Sequence, residues 1–266
     1  MEDHSFYKGG DTTEEWIKVQ ESLKQKLVLE DCFAWTISSP DASSVENATE
    51  HNLKFIGGVD VSFLKDDPSM ACAALVIVDA KTLDVVHEEF DLVRLQIPYF
   101  PGFLAFREAP ILLDLLDKMK QSAHPFYPQI LMVDGNGLLH PRGFGLACHL
   151  GVLVDLPTIG VGKNLHHVDG LTQSGVKKFL EAKENCDKDL ICLVGRSGQV
   201  WGAAMRSIHC STKPIYVSTG HRISLDSSIK VVKMCCRFRV PEPIRQADIR
   251  SRVFIQKLKG PSPMHK

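Results

Sequence analysis

Residues 53–93 read LKFIGGVDVSFLKDDPSMACAALVIVDAKTLDVVHEEFDLV, and their patterning decides the fold. Three runs, 53–64, 70–80 and 83–93, are rich in β-branched and apolar residues. Asp66-Asp67-Pro68 and Asp79-Ala80-Lys81 separate them as turns, which predicts an antiparallel three-stranded meander. Downstream, the proline-bounded loop IPYFPG (97–102) leads into a helix that continues through residue 120. QILMVD (129–134) is continuously apolar and ends at a glycine loop, as a buried strand does. A helix over 144–154, strands at 157–161, 190–195, 199–206 and 214–218, and helices near 225–236 and 243–256 complete the pattern. Upstream, 36–52 is rich in Ser, Asp, Asn and Thr and reads as a loop. Trp16, Val19, Leu23, Leu27 and Glu30 stand at helical spacing, predicting an amphipathic helix over about 13–30. Gly260, Pro261 and Pro263 mark 260–266 as a loose tail. The expected fold class is α/β: a mixed sheet with flanking helices, in one domain over 1–266.

Hydrophobic residues at 44% and charged residues at 24% exclude a disordered or collagen-like chain. No apolar run reaches the roughly 18 residues of a spanning helix; Phe144 to Leu156 is broken by His149 and Asp155. The polar, acidic start (Met1, Glu2, Asp3, His4) has no signal-peptide core, so an intracellular protein is expected, in the cytoplasm or also the nucleus, with no membrane association. The eight cysteines form no CxxC pair and are expected to be reduced and structural.

Acidic residues in apolar surroundings carry the chemistry. Period-two alternation puts Phe55, Val59, Val61 and Phe63 on one face of the first strand, so Asp60 points the other way with Gly58 and Ser62. Asp134 closes the apolar run 130–133. Glu108 shares a helical stripe with Leu104, Ile111, Leu115 and Met119, although Pro110 should kink that helix or mark its true start. Taken singly, each acid reads as a hydrogen-bonded structural residue. Three on neighbouring elements point instead to a divalent-cation site, because an unpaired buried carboxylate costs several kcal/mol. Oxygen-only ligands suit magnesium or manganese rather than zinc. Two such ions about 4 Å apart can clamp the attacking and leaving oxygens of a phosphodiester displacement.

GGVDVSF (57–63), PYFPGFLAFRE (98–108), VDGNGLLHPRGFGLACHLG (133–151), IGVGKNL (159–165), GHRISLD (220–226) and PEPIRQAD (241–248) resemble, in order, the motifs of the endonuclease V family of inosine-directed nucleases. CCRFRVPEPIRQADIRSR (235–252) is similar to its animal branch. The resemblance implies a ribonuclease H-like fold and an acidic cluster at Asp60, Glu108, Asp134 and Asp248, with Asp60 and Asp134 as the principal magnesium ligands and manganese as a substitute. Read alone, Asp248 makes an i, i+4 pair with Arg252 on an exposed helix. Lys163, by itself a solvated surface lysine, matches the catalytic lysine of the family. Pro98, Tyr99, Phe100, Pro101 and Gly102 resemble its wedge, a stiff turn presenting aromatics that would stabilise an extruded base. Gly135, Asn136 and Gly137 match its hypoxanthine-pocket loop. By the same resemblance His140 falls near the phosphate and metal and Arg222 matches a motif residue that contacts phosphate, with structural pairing as its alternative reading; His149 reads as a core or second-layer histidine. The implied reaction cuts single-stranded RNA, with DNA as a further substrate, on the 3′ side of inosine and leaves a 3′-hydroxyl and a 5′-phosphate. A deoxyinosine-directed DNA repair nuclease, a structure-selective ribonuclease H-like nuclease and a non-catalytic binder of inosine-containing RNA are the competing readings. A monomer is expected.

The net charge of −1 conceals polarity along the chain. Residues 205–266 hold thirteen basic side chains against three acidic, a net of +10, and the preceding residues carry −11. The basic segment is expected to line the strand-binding groove, with Arg237 and Arg239 among its contacts.

Overall fold

A computed structural model describes residues 13–37, 52–182, 189–208, 211 and 213–258. Most of the 36–52 loop and the 260–266 tail lie outside the described residues. The meander forms as the patterning predicts: β1 (Phe55–Phe63) pairs antiparallel with β2 (Met70–Asp79), and β2 with β3 (Val85–Arg94). It makes one flank of an eight-stranded mixed sheet ordered β3-β2-β1-β4-β5-β8-β7-β6. β4 (Ile130–Asp134) and β5 (Thr158–Gly162) run parallel to β1, while β6 (Leu190–Val194), β7 (Val200–Met205) and β8 (Ile215–His221) complete the sheet in antiparallel pairings. The fold is ribonuclease H-like, as expected.

Alternation sorts the strands into two cores. Val59, Leu75, Ile77, Leu131 and Val133 pack under α2 (Leu104–Gln121) and α3 (Leu146–Val154). Ile56, Val76, Val78, Ile130 and Met132 face the other way, toward α5 (Leu225–Met234) and α6 (Glu242–Leu258). Gly58 lets α6 lie directly on β1, since a Cβ there would come 2.1 Å from the Pro243 carbonyl oxygen. That close approach fixes where α6 crosses the strand carrying Asp60.

Three local expectations change. The N-terminal helix α1 (Thr13–Lys24) stops short of residue 30, because the chain then becomes a strap on the end of β8. The Val28 amide donates to Nδ1 of His221 at 3.2 Å, and the Arg222 amide donates to the Val28 carbonyl at 2.7 Å. Helix α2 runs through Pro110, whose missing N–H withdraws one donor from the helix ladder. Its buried face is also wider than one stripe, taking in Ala105, Phe106, Ala109, Leu112 and Leu116 as well as Glu108, Leu115 and Met119, with Leu104 and Ile111 half-buried at its margin. Helix α4 (Gln173–Ala182) has no counterpart in the sequence reading. It begins where the Thr172 hydroxyl accepts from the Gly175 amide at 3.2 Å, and it buries Val176 and Leu180 beside β6 and β7.

A four-carboxylate candidate active site

Register brings two acids together. Val59 on β1 is paired with Val133 on β4, so the residues that follow, Asp60 and Asp134, sit side by side and point toward α6. Helix α6 places Asp248 over them. From the opposite side of the sheet, α2 brings in Glu108, which is only 7% exposed. A cleft of about 330 Å³ is lined by Asp60, Glu108, Asp134, Gly135, Asn136 and Lys163, together with Asn164 and His166, which the sequence reading did not single out. Asn164 lies within the motif IGVGKNL, directly after Lys163, and the His166-His167 dipeptide is the sequence signal for His166.

Electrostatics bind these groups into one unit. Burial, then the charges of Asp134 and Asp248, push the Asp60 carboxyl up to about 7, against the opposing hydrogen bond from Ser62. Burial and the Asp60 charge push Glu108 up to about 8. The Ser62 hydroxyl lies 3.1 Å from Asp60 Oδ2 and 2.8 Å from the Ser251 hydroxyl, tying β1 to α6 beside the acids. Lys163, just past β5, donates to Asp134 Oδ2 at 2.5 Å; burial lowers its proton affinity, but the surrounding acids prevail and raise it. Asp248 adds to the field on Asp60, and its Oδ1 is 2.6 Å from Arg252, the i, i+4 pair expected from the sequence.

The donor set is chemically suited to a hard divalent cation: four carboxylates, two of which would give up a proton to bind one. Among the described residues, no three acidic, His or Cys side chains converge closely enough to enclose an ion as they stand. The Lys163 ammonium supplies compensating charge at Asp134.

The pocket loop beside the acids is built on close backbone contact. Gly137 would place a Cβ 2.1 Å from the Thr219 carbonyl oxygen, and Gly160 would place one 2.2 Å from the Gly137 nitrogen. The loop therefore lies flat across β5 and β8, with the Gly137 amide donating to the Ser218 hydroxyl at 2.9 Å. Asn136 is 9% exposed, and its Oδ1 is buried without a hydrogen-bond partner among the described residues. His140 is buried, accepts at Nδ1 from the Arg142 amide at 3.2 Å, and is pushed down to about 4 by burial first and then by the charges of neighbouring His166 and Arg142. His149 is fully buried against Phe106 and Phe144, as its reading as a core histidine expects.

Residues 98–102 stand immediately before α2, with Tyr99 59% and Phe100 40% exposed. Glu108 is one turn beyond Leu104 on the same helix, so the aromatic turn sits at the lip of the cleft. Arg222 is not brought to the cleft. It lies near Thr158 at the far end of β5 from Lys163, roughly 16 Å along the strand direction. There its guanidinium is held by Asp155 at 2.7 Å and by the carbonyl and thiol of Cys32.

A larger groove, of about 800 Å³, opens from Lys163 and Asn164 and is lined by Lys177, Arg206, Lys213 and Arg239. The basic segment thus borders the cleft, but two of its arginines are engaged structurally. Arg239 donates to the carbonyls of Lys163, Lys213 and Pro214 at 3.0, 3.2 and 2.9 Å, and Arg237 donates to the Thr82 carbonyl. The described cysteines are all free thiols, and no described helix is long and apolar enough to cross a membrane.

Comparison with known proteins gives a consistent result. The family model described as Endonuclease V matches residues 40–249. Endonuclease V of Mus musculus is 47% identical over 245 residues, covering 92% of this chain and 70% of its own length. The crystal structure of the catalytic domain of human Endonuclease V superposes with a TM-score of 0.85 at 44% identity, covering 94% of this chain and 99% of the other. Ciona intestinalis Endonuclease V, solved with a 24mer DNA containing an inosine followed by a ribo-adenosine, superposes with a TM-score of 0.80 at 32% identity, covering 92% of this chain and 98% of the other.

Proposed function

This chain belongs to the endonuclease V family of phosphodiester-hydrolysing nucleases, and from that premise we propose that it cleaves single-stranded RNA on the 3′ side of inosine, leaving a 3′-hydroxyl and a 5′-phosphate. The observation that carries the reading is the convergence of Asp60, Glu108, Asp134 and Lys163 in one cleft, beside a buried oxygen of Asn136 that awaits a donor. Asp60 and Asp134 would hold a divalent cation, magnesium or manganese, with Glu108 and Asp248 beside it. That cation would supply an activated water and stabilise the leaving 3′-oxygen.

The remaining work falls to side chains. Lys163, held by Asp134, presents a fixed cation to charge developing at the scissile phosphate. Tyr99 and Phe100 form the wedge that fills the place of an extruded base. Hypoxanthine carries an N1–H, where adenine has an acceptor; the Asn136 oxygen is suited to receive it, which favours a deaminated base. His140, kept neutral by burial, can donate a hydrogen bond from its other ring nitrogen. The basic groove beyond Lys163 would take flanking phosphates. The chain is read as a single nuclease domain acting as a monomer in the cytoplasm or nucleus.

RNA is preferred over DNA because of the animal-type motif at 235–252. The Ciona relative, bound to a strand with a ribonucleotide after the inosine, supports a family site that admits a 2′-hydroxyl there. The deciding experiment uses matched RNA and DNA strands with one inosine each, and plain strands and hybrids as controls, at equal salt with and without magnesium. Faster magnesium-dependent cutting of the inosine RNA is expected. Faster cutting of the DNA would establish the deoxyinosine repair reading, cutting of plain hybrids the structure-selective one, and tight binding without product a non-catalytic binder.

A further inference from the structure

Helix α1 carries one buried polar side chain, Gln20, at 2% exposure. Burying a primary amide is costly unless each of its atoms finds a partner. Gln20 finds them on two separate loops. Its Nε2 donates to the Gly102 carbonyl at 3.4 Å, at the end of the aromatic turn, and to the Phe144 carbonyl at 3.0 Å, at the end of the pocket loop. Its Oε1 accepts from Nε of Arg142. The same helix grips both partners again. Trp16, one turn earlier, meets the Phe100 ring edge-on at 5.3 Å and stacks on Phe106 at 5.2 Å. Lys24, one turn later, donates to the Arg142 carbonyl at 3.0 Å, and the Arg142 guanidinium lies 5.4 Å from the Phe103 ring centre.

We infer that Gln20 is a positioning residue that holds the aromatic turn 98–102 and the pocket loop 135–145 at a fixed separation, so that inosine selectivity depends on a residue outside the cleft. The inference rests on the reading of those two segments as wedge and base pocket. Extruding a base and seating it require wedge and pocket to act on one nucleotide, and a small change in their spacing weakens the seated state more than the chemistry. Gln20 bridges the two segments where they run into α2 and α3, beside the direct contact of Arg142 with Phe103, and it is the side chain whose hydrogen bonds reach both backbones.

Gln20→Leu keeps the shape of the side chain and removes its hydrogen bonds. Gln20→Glu keeps the acceptor for Arg142 and removes the donor aimed at the two carbonyls. For both, the selectivity for inosine over adenosine, measured as the ratio of kcat/KM on otherwise identical RNA strands, is expected to fall about tenfold through KM, with the saturated rate changed less than about threefold. In a double-mutant cycle with Tyr99→Ala, the Gln20 effect on selectivity should largely vanish, because Gln20 acts through the turn. A melting temperature lowered with selectivity unchanged, or additive effects in the cycle, would overturn the inference and leave Gln20 a stability residue. If Gln20→Leu does not fold, Gln20→Glu decides alone. Tyr99→Ala and Asn136→Ala measured in parallel separate the two levels: if neither alters selectivity, the wedge and pocket reading fails, whereas a null at Gln20 with both of them effective defeats only this inference.

Discussion

The ammonium of Lys163 sits 2.5 Å from Oδ2 of Asp134, while the carbonyl of the same lysine accepts a hydrogen bond from Arg239 at 3.0 Å. One residue is thereby pinned at both ends: its side chain to the acid cluster, its backbone to the basic groove. A charge held before the reaction begins needs no reorganisation when charge develops. Replacing Lys163 by Ala should lower the saturated cleavage rate by about a hundredfold with little change in KM, measured in single turnovers. Asp60→Ala and Asp134→Ala should abolish cleavage while leaving strand binding largely intact; full-rate cutting by either would remove these acids from the chemistry.

The acids predict a pH dependence of stability in the metal-free protein. Asp60 and Glu108, raised to about 7 and about 8, hold protons in the folded chain that the unfolded chain releases near pH 4. Their favourable contribution is therefore complete below about pH 4 and is lost as pH rises toward about 8. Thermal melts in chelator should show stability falling across that window, less steeply in Asp60→Asn. Added magnesium should raise the melting temperature more at pH 8 than at pH 6, because the cation replaces protons already lost. A flat chelator profile would contradict the buried, interacting acids.

Charge reversal in the large groove distinguishes binding from positioning. Lys177→Glu and Lys213→Glu should raise KM and leave the saturated rate nearly unchanged. The salt dependence of binding should become shallower by about one unit of slope for each phosphate that is no longer neutralised. Arg239→Ala should also slow the saturated reaction, because it releases the Lys163 carbonyl. Equal salt slopes for wild type and both lysine variants would take the strand out of this groove.

Gly160 tests the pocket loop. A methyl group there would meet the Gly137 nitrogen at 2.2 Å, and backbone cannot move aside as a side chain can. Gly160→Ala should cost about 2 kcal/mol of stability and weaken inosine selectivity by displacing Gly135–Gly137. Unchanged selectivity, measured at a temperature where the variant is fully folded, would mean that the loop does not shape the pocket.

Much of this was legible in the chain itself. Strand alternation is a local property, so the meander, the outward turn of Asp60 and the buried strand ending at Asp134 could be read from residues 53–134. Glu108 was legible as an acid on an apolar helix face. Asp248 and Lys163 were not, without the family motifs, because each has an ordinary surface reading; their significance is that they face Asp60 and Asp134. Helix α4 escaped notice because only Val176 and Leu180 mark its short buried face.

By itself the sequence determined which elements form and which side chains are chemically out of place, since both depend on neighbours a few residues away. Tertiary structure alone decided which of those side chains meet. It laid α6 on Gly58 so that Asp248 reaches Asp60, carried Arg222 to the opposite end of β5 and into the grip of Asp155, and set Gln20 between two loops far from it in sequence. Such encounters follow from how helices and sheet close over one another, and no local pattern in the chain encodes that closure.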